Sequence, residues 1–207
     1  MIKIDSNINM REYGSHYFNG FLDFLMFVNK NIRTCNTIIE IGSFKGESSS
    51  LILKHIHGNP ILYCVDPWND MPDNSDILQG INFSNIEKIF DETLISFNNF
   101  KKIKSTSDEF IQSNTINSVD LVYIDGLHTY DQVKRVIENY LPLIKSGGIL
   151  AGHDYHIPIP HEEYPFYYDI DKQQKIRHQV GLAVDELLLK DYKIYTFEDT
   201  SWAIIKK

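Results

Sequence analysis

The chain reads as an α/β protein built on one open, mostly parallel sheet with helices on both faces. Three observations predict this. Short β-branched runs alternate with stretches of helical periodicity along most of the 207 residues. The first such run, Thr37-Ile38-Ile39-Glu40-Ile41, breaks at a turn that carries Gly42 and Gly46, which start a helix. The last two runs, Tyr192 to Phe197 and Trp202 to Ile205, are joined only by Glu198-Asp199-Thr200-Ser201, a hairpin connection.

Before the sheet, Ser15 to Lys30 places apolar groups at 18, 21, 22, 25 and 28, a helical spacing with Ser15 as N-cap. The stripe Phe18, Phe21, Leu22, Leu25 and Val28 suits the core or a face between two copies of the chain. After the glycine turn come a helix over 47–57 and a buried strand, Ile61 to Asp66, completing a βαβ unit with a right-handed crossover. Residues 67–82 read as an irregular polar loop. A helix over 83–97, a weak strand at Lys101 to Lys104 and a short helix over 107–112 follow. Val119 to Asp125 is the fourth strand. A helix from Tyr130 to Ile144, stopped by Gly147-Gly148, leads to the fifth, Ile149 to Asp154. Residues 155–177 are too long for an ordinary connector; such loops are usually functional or mobile, and the plainer reading is a surface excursion or an oligomer contact. A helix over 178–190 precedes the hairpin. The expected fold is a Rossmann-like seven-stranded sheet, parallel in its first five strands and finished by an antiparallel hairpin. Residues 1–36 form a helical extension, 37–207 a single domain, and 155–177 a substrate loop.

Composition narrows the function. With 43% hydrophobic and 23% charged residues the chain can bury a core and is no disordered segment. Its net charge of −8 gives no electrostatic footprint for nucleic acid or an anionic membrane, so a small molecule is the expected partner. Two cysteines, Cys35 and Cys64, make neither a disulfide framework nor a metal site alone. The apolar stretch Phe21 to Val28 is short and holds Asp23, and Met-Ile-Lys-Ile-Asp at the start lacks a secretory pattern, so a cytoplasmic protein is expected.

In open α/β sheets ligands bind outside the carboxyl ends of the strands. The polar residues at those ends are Glu40 to Gly46, Asp66, Ser105 to Asp108, Asp125 with His128, and His153 with Asp154. The glycines let the backbone turn tightly, while Ser43, Gly46 and Ser48 offer donors near a helix N-terminus. Glycine spacing is Gly-x-x-x-Gly, without the middle glycine of a dinucleotide fingerprint. Glu40 needs either a ligand or donors from its own chain to be buried there. Asp66, 20 residues beyond Gly46, suits the two hydroxyls of a ribose or, alternatively, a capping role in its loop.

Two motifs, Ile39-Glu40-Ile41-Gly42-Ser43-Phe44-Lys45-Gly46-Glu47-Ser48-Ser49 and Val65-Asp66-Pro67-Trp68, resemble the first two motifs of class I S-adenosylmethionine-dependent methyltransferases. Asp120-Leu121-Val122-Tyr123-Ile124-Asp125-Gly126-Leu127-His128-Thr129-Tyr130, with Gly147-Gly148-Ile149-Leu150-Ala151-Gly152-His153-Asp154-Tyr155, is similar to the branch of the macrocin, mycinamicin and novobiocin sugar O-methyltransferases. The resemblance covers roughly residues 37–155. It implies S-adenosylmethionine as cofactor, with Glu40, Gly42 and Gly46 around its methionine part, Asp66 on the ribose, and Ser107 and Asp108 beside the adenine. Ser105 stands where many relatives have glycine. Trp68 either flanks the adenosine or caps the core.

The resemblance also implies a divalent metal, Mg²⁺ or Mn²⁺, at Asp125 and Asp154, with His153 in a position where relatives carry an acid or Asn. Histidine favours Mn²⁺, Fe²⁺ or Zn²⁺ over Mg²⁺. The plainer reading pairs His153 and Asp154 with each other. His128 is the expected catalytic base, with Asp125 beside it, removing a proton from a sugar hydroxyl as the methyl group transfers. Aromatic and acidic residues of the 155–177 loop, among them Tyr164, Phe166 and Tyr168, suit the acceptor. Two other readings share the architecture: a nicotinamide oxidoreductase, against which the missing middle glycine counts, and a non-catalytic binding module.

Overall fold

A computed structural model describes residues 15–69, 73–75, 82–113, 116–155, 166–169, 174–177 and 179–207. In chain order the elements are α1 (Ser15–Asn31), β1 (Thr37–Ile41), α2 (Glu47–His55), β2 (Ile61–Asp66), β3 (Asp73–Ser75), α3 (Phe83–Thr93), β4 (Phe100–Lys104), α4 (Ser107–Ser113), β5 (Val119–Ile124), α5 (Tyr130–Tyr140), β6 (Ile144–Gly152), β7 (Phe166–Asp169), β8 (Gln174–Arg177), α6 (Val180–Leu188), β9 (Tyr195–Thr196) and β10 (Trp202–Ile205).

The main sheet has seven strands in the order β4-β2-β1-β5-β6-β10-β9. The first five run parallel, while β10 runs antiparallel to both β6 and β9, as expected. The strand order reverses between β1 and β5, so the ligand crevice of such a sheet lies at their carboxyl ends. Alternation along the strands feeds two cores. Ile38, Cys64 and Tyr123 join α1, α2 and α3 on one face; Ile39, Ile41, Val122 and Ile124 join α4, α5 and α6 on the other.

Phe21, Leu25 and Val28 of the N-terminal stripe are buried against the sheet. Phe24 is fully buried, and its ring lies 5.3 Å from Tyr123 and 5.6 Å from Phe197. A β-carbon on Gly20 would meet the Asp199 backbone nitrogen at 2.2 Å, so α1 lies directly on the β9–β10 turn.

Two expectations need correction. The helix expected to reach Ile144 ends at Tyr140, followed by a 3₁₀ turn over Leu141–Leu143 that contains Pro142. Proline lacks the N–H that would continue the helix, and its ring opposes the preceding turn. The Gly147-Gly148 pair therefore lies inside β6, not at a helix stop. A β-carbon on Gly148 would come within 2.7 Å of Ile144 and 2.9 Å of the Asp120 carbonyl, so the glycine is a packing requirement. Second, part of the expected polar loop after β2 is a strand: β3, β7 and β8 make a small antiparallel sheet in which Asn74 pairs with Tyr168. His156, His161, Glu162, Glu163 and Tyr164 lie outside the described residues.

Candidate active site

The carboxyl end of β1 is built around a buried carboxylate. Glu40 is fully buried on the α2 face of the sheet, and it accepts hydrogen bonds from Ser43 Oγ (2.7 Å), Ser48 Oγ (2.6 Å) and Ser49 Oγ. Burial pushes its carboxyl up to about 7, even though the three hydroxyls favour the ionised form. The donors are side chains of its own turn and helix, so Glu40 itself has no face open to a ligand. Ser49 was missed by the sequence reading. Its signal is the run Ser48-Ser49-Ser50 opening a helix straight after the glycine turn.

Gly42 and Gly46 both hold positive φ, 89° and 80°. Gly42 donates to the Val65 carbonyl at 2.9 Å and lies against the end of β5, where its missing β-carbon would sit 2.0 Å from the Asp125 carbonyl oxygen. Only glycine permits both the dihedral and the approach.

Asp66 ends β2 and ties the two turns together. One carboxylate oxygen accepts from the Phe44 N–H (2.9 Å), the other from the Trp68 N–H (2.7 Å). Burial raises its pKa, and those amides oppose the rise. Each oxygen keeps a second lone pair for a hydroxyl. Trp68 is only 3% exposed; its indole N–H donates to the Phe44 carbonyl and its ring lies 4.7 Å from Phe90. The core-capping alternative for Trp68 is thus the arrangement found.

At the end of β4, Ser107 Oγ accepts from Gln132 Nε2 at 2.9 Å, and its carbonyl accepts from Tyr140. Asp108 faces Arg135 Nε at 3.5 Å and stays partly exposed. Both residues stand at the start of α4.

Beyond Gly42 four polar groups converge. His128 Nε2 lies 3.0 Å from Asp154 Oδ2 and 3.9 Å from Asp125 Oδ1. His153 Nδ1 lies 3.3 Å and 3.8 Å from the same two oxygens. Burial pulls both imidazoles down, yet the two carboxylates outweigh it, holding His128 up to about 10 and His153 up to about 9. One potential ligand atom from each of Asp125, His128 and Asp154 lies within 4.8 Å of the others. The expected ligand set had His153 in place of His128, and His128 comes closer to Asp154 than His153 does. Asp154 holds a φ of 61°, a sparsely populated conformation for a residue with a β-carbon, and such strain clusters at functional sites.

Supports that the sequence reading missed come from the C-terminal elements. Gln179 donates its N–H to the His128 carbonyl at 3.0 Å. Tyr155 donates to Asp185 of α6 at 2.7 Å. Thr200 Oγ1 approaches His153 Nε2 at 3.5 Å. Nothing in the spacing of these residues marks them, because each acts across a fold that must first be known.

Comparison with known proteins agrees with the fold. The family described as "Methyltransferase domain" matches residues 39–155. Among solved structures, the O-methyltransferase TomG from Streptomyces achromogenes, described in complex with S-adenosylmethionine, is similar over all of this chain and 92% of its own, at 12% identity and a TM-score of 0.62. The O-methyltransferase NovP is similar over 94% of this chain and 81% of its own, at 14% identity and a TM-score of 0.62. The calicheamicin methyltransferase CalS11 is similar over 95% and 82%, at 15% identity and a TM-score of 0.62. No curated protein matches the chain. Among the described residues no helix is long and apolar enough to cross a membrane.

Proposed function

The chain belongs to the methyltransferase-domain family, and on that premise we propose that it transfers the methyl group of S-adenosylmethionine to a hydroxyl of a sugar or sugar-containing small molecule. One observation carries the reading. The glycine turn and Asp66 meet at the switch point of the sheet, and the Asp125, His128, His153 and Asp154 cluster stands directly beside them across the Gly42–Asp125 contact.

The residues present fit the cofactor. Gly42, Gly46 and Ser48 border the site for its amino-acid end, next to the N-terminus of α2. Asp66 accepts the ribose hydroxyls through its remaining lone pairs, and Ser107 and Asp108 border the adenine. Trp68 acts from behind, bracing Phe44 rather than stacking on the ligand. When bound, the cofactor supplies an electrophilic methyl group whose displacement needs an aligned oxygen and a place for one proton.

The acidic cluster fits a divalent cation, Mg²⁺ or Mn²⁺, because two carboxylates and an imidazole nitrogen converge. A cation there lowers the pKa of a coordinated hydroxyl. Asp125 and Asp154 would hold it with a nitrogen from His153, which would leave His128 for the proton. The same carboxylates now favour a proton on His128, so they serve either an imidazolium or a cation. Neutral His128 is then the group that takes the proton of the acceptor hydroxyl. The 155–177 segment would cover the acceptor. It supplies β7, which pairs with β3 from the segment after β2.

A methyl-transfer assay with labelled S-adenosylmethionine and a panel of sugar hydroxyl acceptors tests the reading. Transfer that is lost in His128→Asn and Asp125→Asn while cofactor binding persists supports it. Transfer unaffected by either change refutes the assigned roles.

A further inference from the structure

The β9–β10 hairpin leans on the acidic end of β6. Trp202 pairs with Gly152, and the Thr200 carbonyl accepts the Tyr155 N–H at 2.9 Å. The hairpin is thus tied to the chain just before His153 and just after Asp154. Its turn is held from behind as well. Asp199, 1% exposed, accepts from the Ser201 N–H (3.1 Å) and hydroxyl (2.7 Å), and α1 packs on its backbone at Gly20. Thr200 donates its N–H to the Phe197 carbonyl at 3.0 Å and holds a φ of 70°. For a β-branched residue that φ is an outlier, which glycine would relax. From this strained position Thr200 Oγ1 reaches His153 Nε2 at 3.5 Å, the long end for a hydrogen bond. His153 Nδ1 faces the other way, 3.3 Å from Asp154 Oδ2 and 3.8 Å from Asp125 Oδ1.

We propose that Thr200 is a positioning residue: its hydroxyl accepts from His153 Nε2 and so presents Nδ1, with its lone pair, to a divalent cation held by Asp125 and Asp154. The inference rests on the cation assigned above. A neutral imidazole carries one N–H and one lone pair, so an acceptor at Nε2 decides where each of them lies. Outer partners of this kind orient metal-bound histidines, and losing one typically costs about 10–100-fold in metal affinity. The nitrogen also bears on which ion enters. Two carboxylates alone suit Mg²⁺, whereas an added imidazole favours Mn²⁺. Ion choice is then set by a turn residue that never touches the ion.

The metal-stripped protein is titrated with Mn²⁺ and with Mg²⁺ by calorimetry, and pulsed EPR of the Mn²⁺ form reads a coordinated imidazole nitrogen. The wild-type protein should bind Mn²⁺ about tenfold or more tightly than Mg²⁺ and show the nitrogen coupling. Thr200→Val keeps the side-chain shape and removes the acceptor. It should weaken Mn²⁺ about tenfold or more, leave Mg²⁺ within about twofold, and lose the coupling. Thr200→Ser should restore both readouts, and His153→Ala should match Thr200→Val. Where Thr200→Val does not fold, Thr200→Gly decides, since it relaxes the backbone and also lacks the hydroxyl. An Mn²⁺ preference that survives loss of the hydroxyl overturns the proposal. Equal weakening of both ions does the same, because it marks a merely structural turn. Nitrogen coupling that persists in His153→Ala assigns the ligand to another residue and overturns it too. A wild-type protein that binds neither ion removes the cation and the proposal together. S-adenosylhomocysteine binding by that same preparation would leave the cofactor reading standing.

Discussion

Gly42 and Asp125 touch backbone to backbone: a β-carbon at residue 42 would lie 2.0 Å from the Asp125 carbonyl oxygen. This contact packs the glycine turn directly on the strand end that carries the acidic cluster. Gly42→Ala is therefore expected to destabilise the fold by several kcal/mol, since it combines a positive-φ penalty with a clash against backbone. Gly147 makes the control. It also has positive φ, 79°, but nothing lies within 4 Å of its missing β-carbon, so Gly147→Ala should cost only about 1–2 kcal/mol. Denaturant unfolding of the two variants separates strain from collision.

The pH dependence of stability follows from the two histidines. Folding raises His128 from 6.5 to about 10 and His153 to about 9. For groups raised by folding, the stabilisation is complete below the unfolded pKa and is lost as pH rises through the folded values. The unfolding free energy of the metal-free protein should fall between pH about 6.5 and about 10. His128→Asn should flatten part of that slope. Imidazole NMR titration checks the same point directly: Asp154→Asn should lower the His128 pKa, and millimolar Mg²⁺ should lower it in the wild type. A His128 pKa indifferent to both changes would contradict the shared-carboxylate account.

Glu40 acts with the same sign in a lower window. Burial raises its carboxyl from 4.5 to about 7, so the folded chain holds this proton more tightly than the unfolded one. Its contribution is largest below pH 4.5 and is lost by the time pH passes 7. Glu40→Gln should remove this part of the pH dependence of denaturant unfolding, and an unchanged profile would contradict the buried-carboxyl account.

The small sheet links two segments that leave the carboxyl end of the main sheet. The segment after β2 turns Trp68 into the α1–α3 face, while the segment after β6 turns Tyr155 into the α4–α6 face. Strands β2 and β6 are separated by β1 and β5, ~14 Å at ordinary strand spacing. The β3–β7 ladder ties the chain after β2 to the chain after β6. Directly opposed residues have Cα atoms about 4.5–5.5 Å apart, within the reach of a disulfide. Asn74→Cys with Tyr168→Cys should oxidise readily, and the oxidised form should exchange bound S-adenosylhomocysteine more slowly than the reduced form. Cys35 and Cys64 are buried and should not interfere.

Much of the sheet was legible because its chemistry is local. Thr37 to Ile41 and Val119 to Ile124 carry their strand propensity in consecutive residues, and their acidic ends point to the ligand edge before any coordinates exist. Gly147-Gly148 misled because a glycine pair marks a helix stop as readily as a tight strand, and only the Pro142 turn decides between them. The strand Asp73-Asn74-Ser75 was invisible: its residues disfavour strands, and its partner lies more than 90 positions away. Within the site, Asp125, His128, His153 and Asp154 were legible from strand-end placement. The Ser49 bond to Glu40 and the Gln179 bond to His128 were not, since they depend on how α2 and α6 dock.

The most direct test of the central claim is calorimetric titration of the metal-stripped protein with S-adenosylhomocysteine, using NAD as control and repeating with Mg²⁺ and Mn²⁺. The account predicts micromolar binding of S-adenosylhomocysteine and no heat with NAD. Binding of NAD alone, or of neither compound, would contradict it.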